Sequence, residues 1–196
     1  MTLSHMRSLR EVARAFFSFG SPRLLGAQLL VAVALRPFVG QPSVWDLVVI
    51  AGVAVYWPIQ EWWLHKVLLH AKPVRLFGRS IALGAARTHG YHHAHPTCAA
   101  STLLPTSTVA VLVPIHLALW LVLAPTRGAA CTGIVALGAA ALLYEWIHFL
   151  THSAYRPTTA WFAEVKRRHM LHHHKSPDRF FAFVVPSVDD WMGTGK

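Results

Sequence analysis

Four apolar stretches constrain what this chain can become: Leu24 to Val39, Val44 to Ile59, Leu103 to Ala124 and Ala129 to Ile147. Each is near the length of about 20 residues with which a helix crosses roughly 30 Å of hydrocarbon. Arg36 and Pro37, late in the first stretch, fit an interfacial position where the guanidinium snorkels and the proline ends the helix. "GQPS" (Gly40 to Ser43) and "PTRG" (Pro125 to Gly128) are turn-rich breaks suited to joining antiparallel neighbours. The expected fold is an all-α integral membrane protein with four transmembrane helices in two hairpins and a cytoplasmic helical histidine-rich cap.

Composition agrees. Of 196 residues 54% are hydrophobic and only 13% charged, with mean hydropathy +0.41, which soluble domains of this size seldom show. A net charge of +10 would suggest nucleic acid in a polar chain. Here the apolar runs exclude a nucleic-acid partner. Cys98 and Cys131 fall in regions assigned to opposite membrane faces, so neither a disulfide nor a zinc or redox motif is expected. No removable signal peptide is expected at the N-terminus, and Arg7 to Phe19 reads as a basic amphipathic segment at the membrane surface.

The basic residues orient the spans. Four Lys or Arg precede the first stretch, five lie between Glu61 and Leu103, and seven follow Ile147. Only Arg36 and Arg127 remain for the other face. The positive-inside tendency puts both termini and the central segment in the cytoplasm. The chain reads as one membrane-embedded domain: an interfacial segment (1–23), a hairpin (24–60), a cytoplasmic stretch (61–102), a second hairpin (103–147) and a C-terminal cap (148–196). The two halves share the plan of a hairpin followed by histidines, without a repeat of fixed period.

Ten of the 14 histidines form four short groups: His65 and His70; His89, His92 and His93; His148 and His152; His169, His172 and His173. Every group lies at or beyond the cytoplasmic end of an expected span. A single "HxxHH" is most simply a solvated or hydrogen-bonded pair, but four groups on one face call for a common purpose. Imidazole is the commonest metal-ligating side chain, and neutral. On an α-helix "HxxHH" puts its outer histidines about 40° to 60° apart with the third near them, so one turn offers several nitrogens to one cavity. His148 and His152 share a helix face. His65 and His70 are five apart, about 140°, so they are expected to reach different metals or to flank one site from its sides. Zinc takes about four ligands and octahedral iron about six, so ten fit two metals. Glu61 and Glu145, a turn before His65 and His148, are placed to accept hydrogen bonds from ligand rings; as bland a role, marking the water interface, would explain them too. His5, His95, His116 and His174 read as structural or solvated, with His95 and His174 close enough to support the site.

In this order "EWWLHKVLLH", "HGYHH", "YEWIHFLTH" and "HMLHHH" resemble the fatty acid hydroxylase and sterol desaturase superfamily, as does the tail "FAFVVPSVDDWMGT". The resemblance runs from about Glu61 to Thr194. It implies an integral membrane di-iron oxygenase that uses O2 and two electrons to hydroxylate or desaturate an unactivated C–H bond of a lipid. It implies that the ten histidines hold two irons and that Glu61, Glu145 and Asp189 orient the ligands; the sequence does not choose between iron and a surrogate such as zinc in isolated protein. The stretch "HPTCAASTLLPT" departs from hydroxylases close to the fatty acid 2-hydroxylases, with Cys98, Ser101 and Thr106 where those carry aspartate, arginine and proline positions. No fused b5-type haem domain is expected, hence a separate electron-transfer protein.

The expected activity is hydroxylation of the acyl chain of a membrane lipid or fatty acid. A lipid or sterol-type desaturase shares the first hydrogen abstraction, and a carotenoid ring hydroxylase shares the "HK" of the first box but has wider spacing in the third. A divalent-metal transporter would need ligands near the bilayer midplane, where only His116 lies. Trp62, Trp63, Trp146, Phe149 and Trp161 are candidates to wall the substrate space, although interfacial anchoring explains membrane tryptophans at least as well. Lys72, Arg75, Arg79, Lys166, Arg167 and Arg168 are candidates for docking an acidic donor or anionic headgroups, although the positive-inside bias alone accounts for them.

Overall fold

The structure, a computed structural model, describes residues 1–196. In chain order its helices are α1 (Leu9–Phe16), α2 (Gly20–Leu35), α3 (Val44–Trp63), α4 (Gly84–Ala94), α5 (Ala99–Thr102), α6 (Thr106–Leu123), α7 (Arg127–Thr151), α8 (Ala160–His174) and α9 (Ser187–Trp191). A 3-10 turn (Arg36–Phe38) extends α2, and a π-helical turn (Leu64–Leu69) extends α3.

Helix α7 is the axis of the bundle. Thr126 caps it by accepting from Ala129 N at 3.1 Å. Its first part, "RGAACTGIVALGAAA", is nine-fifteenths glycine and alanine, which lets neighbouring backbones approach closely, the usual device for packing helices in lipid. Helices α2, α3 and α6 all pack on it. Helix α6 is apolar all round, and Val111, Ile115, Leu121, Val122 and Leu123 are exposed, which suits a lipid-facing helix.

Three helical segments are long and apolar enough to cross a membrane: Val44–Leu69, Ala99–Leu123 and Arg127–Thr151. Leu9–Phe16 and Gly20–Phe38 meet that measure only together, and they are bent by 89°. The first expected span is therefore the marginal one. Within the first expected hairpin, α2 and α3 lean on α7 more than on each other. Their connection is instead fixed by polar contacts. Arg36 does not snorkel: it pairs with Asp46 at 2.7 Å and donates to Thr132 Oγ1 of α7 at 2.8 Å and to Gly40 O at 2.8 Å.

The chain is not wholly α-helical. Strands β1 (Val74–Leu76) and β2 (Arg79–Ile81) form an exposed antiparallel hairpin. Phe77 and Gly78 at its tip both have positive φ, the requirement of the hairpin turn whose twist matches the strands.

The N-terminal segment is more than interfacial. Ser8 and Glu11 make a reciprocal capping box on α1, whose inner face of Val12, Ala15 and Phe16 is buried. Ahead of it Leu3 is fully buried, donating to Thr97 O at 2.9 Å and accepting from Ala154 N at 3.3 Å. The first residues thus tie the loop after α4 to the loop after α7. Both cysteines are free, as expected.

Candidate metal centre

The ten histidines gather into two groups of five: His65, His70, His89, His93 and His172, hereafter nest A, and His92, His148, His152, His169 and His173, nest B. Within each, one ligating nitrogen per ring lies within 4.8 Å of all the others.

Local backbone decides how they meet. An α-helix would turn His65 and His70 well apart, but the intervening segment is π-helical and His70 N donates to His65 O at 3.2 Å. A π-turn closes at i,i+5, so residues five apart share a face. Both rings enter nest A, the convergent one of the two arrangements their spacing left open. The "HxxHH" segments divide rather than serve one cavity. Residues at i+3 and i+4 fall on opposite sides of residue i. His89 and His93 join nest A while His92 joins nest B; His169 and His173 join nest B while His172 crosses to nest A. Helices α4 and α8 therefore each contribute to both nests.

The ring nitrogens are arranged as ligands. His65 Nδ1 donates to Phe181 O at 2.7 Å and His172 Nδ1 donates to Arg179 O at 2.6 Å. A neutral imidazole carries one N–H, so each Nε2 is left a bare lone pair. Those atoms face other nitrogens: His65 Nε2 is 3.1 Å from His89 Nε2, and His172 Nε2 is 3.1 Å from His70 Nε2 and 3.2 Å from His93 Nε2. In nest B, His148 Nε2 stands 3.1 Å from His92 Nε2. Neighbouring ligands about 2.1 Å from an octahedral ion lie about 3.0 Å apart. Five such nitrogens fill all but one octahedral position, so donor set and spacing fit a first-row transition ion in each nest. Burial is the main cause that holds His92 and His172 down at about 3 and His93 at about 4, which keeps these rings neutral and available to a metal at neutral pH.

None of the three carboxylates expected to orient rings touches one. Glu61 Oε1 accepts from Phe183 N and from Val184 N at 2.9 Å. Asp189 accepts from Phe181 N at 2.9 Å, Ala182 N at 3.1 Å and the Thr194 hydroxyl at 2.7 Å. Together they clamp the backbone of residues 181–184, whose Phe181 carbonyl holds His65. Their effect on the ligand is thus transmitted through the main chain. Glu145 serves elsewhere, accepting from Ser21 Oγ and Leu104 N, both at 2.9 Å. The i,i+3 and i,i+4 spacings brought these carboxylates beside the rings in sequence, but unpaired backbone donors of the tail and of the α5–α6 connection compete for them and win. Burial pushes the Asp189 carboxyl up, and its hydrogen bonds from Thr194 and the two backbone amides pull it back.

Phe181 and Phe183 are site residues that the sequence reading missed. Phe181 packs on nest A, 5.3 Å from His172 and 5.4 Å from His70 between ring centroids. Phe183 packs on nest B, 4.3 Å from His169 and 4.8 Å from His148. Their alternation in "RFFAFVV" directly after the fourth box was the available signal.

An apolar cavity runs between α2, α3, α6 and α7, with Trp57, Trp120 and Tyr144 among its walls. None of the five aromatics expected to wall it does so. Phe149 lies in the core against α1, Trp62 Nε1 donates to Thr194 Oγ1 at 3.0 Å, and Trp161 Nε1 donates to Val184 O at 3.1 Å. A smaller recess shares Leu69, Ala85, Leu104, Tyr144 and Glu145 with the cavity and reaches His89 of nest A and His148 of nest B. The remaining candidate histidines stand outside: His95 stacks on Tyr91 at 4.2 Å, His5 and His174 are exposed, and His116 lines the cavity. Of the candidate docking cations, Lys166 is committed to Ser153 O and Tyr155 O, and Arg168 to Glu164 and Asp190. Arg167 pairs with Glu164, while Lys72, Arg75 and Arg79 are exposed.

Two Arabidopsis thaliana proteins are similar to this chain. Dihydroceramide fatty acyl 2-hydroxylase FAH2 is 28% identical over 76% of the chain and 60% of its own length. Dihydroceramide fatty acyl 2-hydroxylase FAH1 is 26% identical over 75% of the chain and 60% of its own length. The chain thus spans about 60% of the length of these relatives. No solved structure gives a significant match. The model of the fatty acid hydroxylase family matches residues 50–194, which include all ten clustered histidines, and the chain belongs to that family.

Proposed function

We propose that this protein is an O2-dependent di-iron hydroxylase acting on the acyl chain of a membrane lipid or fatty acid, with one iron in each nest and electrons from a separate carrier. The observation that carries the reading is that the apolar cavity adjoins, through five shared lining residues, a recess that reaches one histidine of each nest. A chain lying in the cavity brings a carbon to the space both nests share. When bound, the irons supply the reduction of O2 and the oxidation of the C–H bond.

The protein's own residues do the rest. Neutral imidazoles hold the ions without adding charge. Leu69, Ala85 and Tyr144, common to cavity and recess, position the carbon to be oxidised. The apolar walls exclude water from the oxidising site. Thr88, Ser101 and Thr102 line the recess, and each hydroxyl already donates to a backbone carbonyl, leaving lone pairs for a polar end that donates, such as an amide or hydroxyl. The relatives' names, fatty acyl 2-hydroxylases, agree with oxidation near that polar end.

In this reading the chain crosses the membrane four times, with α2 as the first and shortest span. Both termini and the nests face the cytoplasm, as the basic residues favour. The test is lipid mass spectrometry of cells expressing the protein or its His172→Ala variant. The expected result is a set of lipids gaining 16 mass units with the wild type only. Lipids that lose 2 units instead would make the enzyme a desaturase, and no His172-dependent change would end the oxygenase reading.

A further inference from the structure

Two contacts made on α7, one from the α5–α6 connection and one from α6, frame the apolar cavity. At the end beside the nests, Leu104 N donates to Glu145 Oε1 at 2.9 Å. At the other end Trp120 of α6 packs on Gly133 of α7, so closely that a Cβ added at Gly133 would clash with the indole ring. Trp120 and Ile134 are the cavity's deepest lining residues on these helices: no residue from Leu121 to Gly133 lines it. The glycine is what lets so large a side chain close the space between two helices.

We propose that Trp120, seated on Gly133, is the floor that sets the longest acyl chain this protein accepts. The inference rests on the acyl-chain reading above. Glu145 and Gly133 stand twelve residues apart on α7, about 18 Å at 1.5 Å per residue. A saturated chain advances about 1.25 Å per carbon, the projection of a 1.52 Å bond at a near-tetrahedral angle. The cavity therefore measures about 14 carbons from the nests to the floor. With the oxidised carbon at the nests and its polar end in the recess, the preferred substrate is a saturated acyl group of about 14 to 16 carbons. Leu117 lines the same wall nearly one turn closer to the nests, so a larger residue there raises the floor.

The experiment has two readouts. Metal-free protein is purified after exposure to an equimolar mixture of saturated fatty acids from C10 to C20, and the retained acids are measured by native mass spectrometry. Hydroxylated lipids from expressing cells are profiled by chain length in parallel. Trp120→Ala is expected to lengthen the preferred chain by about four carbons, the depth of one helical turn, and Leu117→Trp to shorten it by as much. Identical retained profiles in wild type, Trp120→Ala and Leu117→Trp would overturn the floor, as would a wild type that retains no acyl chain. Retained profiles that shift while no hydroxylated product forms would leave the floor standing and remove the hydroxylase.

Discussion

Nests A and B hold the same number of imidazoles but are built on different foundations. Nest B takes His148 and His152 from the end of α7, the helix on which the bundle packs, and four of its five histidines are buried. Nest A takes His65 and His70 from a π-turn beyond α3, and two of its members, His70 and His93, are half-buried. In nest A the rings of His65 and His172 are steered by carbonyls of the C-terminal tail. In nest B the Nδ1 atoms of His92 and His169 are buried without a partner, and Phe183 packs over the group. A ligand cage can thus be made by a rigid helix, or by an irregular turn held from outside by a strap. The second kind depends on residues far from it in sequence.

The largest effect expected is the loss of one metal. His65→Ala and His152→Ala should each leave one ion per chain, read by elemental analysis, and each should lower hydroxylation by well over 100-fold, more than the roughly 10–100-fold typical of residues that only support a ligand. If either variant loses both ions, the nests are not independent and the contrast between them fails.

The strap gives the next test. Asp189→Asn turns a two-oxygen acceptor of three hydrogen bonds into a group that must point a donor at one of the tail's donors. The expected outcome is a roughly 10–100-fold weaker hold on one metal and an unchanged hold on the other. Competitive chelation that strips both ions equally would show that the tail serves both nests alike.

The same contrast explains what was legible in the sequence. Spans and histidine groups follow from composition and from the α-helical period, which is why α6, α7 and the ten clustered residues were found from sequence alone. The sharing out of those residues was not legible. Nothing in "HKVLLH" announces a π-turn, because its stability comes from His65 and His70 both meeting nest A and not from local propensity. Nor could the partners of Glu61 be read, since Phe183 and Val184 lie more than a hundred residues away and compete with the nearby ring. That α2 and α3 would each pack chiefly on α7, with its many glycines and alanines, was not legible either, because the hairpin pattern pairs neighbours in sequence only. The turn at Phe77 and Gly78 was hidden for a simpler reason: the segment was read as helical cap, and its strands are three residues each.

The smallest effect concerns a surface ion pair that joins α8 to the end of the strap. Arg168 sits beside His169 on α8 and pairs with Glu164 at 2.7 Å and with Asp190 of α9 at 3.0 Å, next to the strap's Asp189. Arg167 and Arg168 hold the Glu164 carboxyl down to about 2. Glu164 and Asp190 are more than a third exposed, so solvent discounts the link to about 0–1 kcal/mol. For a chain of this length that is at most about 2–4 °C in melting temperature for Arg168→Met. A depressed carboxyl lends stability that is present above its unfolded value near 4.5 and is lost as pH falls toward 2. Wild type and variant should therefore differ most at neutral pH and low salt, and converge below about pH 2 or at 1 M salt, where screening reaches about 3 Å. Throughout, the metal affinities of both nests should stay as in the wild type. If Arg168→Met instead weakens nest A as much as Asp189→Asn does, the strap is held from its outer surface by the arginine, and the buried hydrogen bonds of Asp189 are not what keeps His65 aimed at its metal.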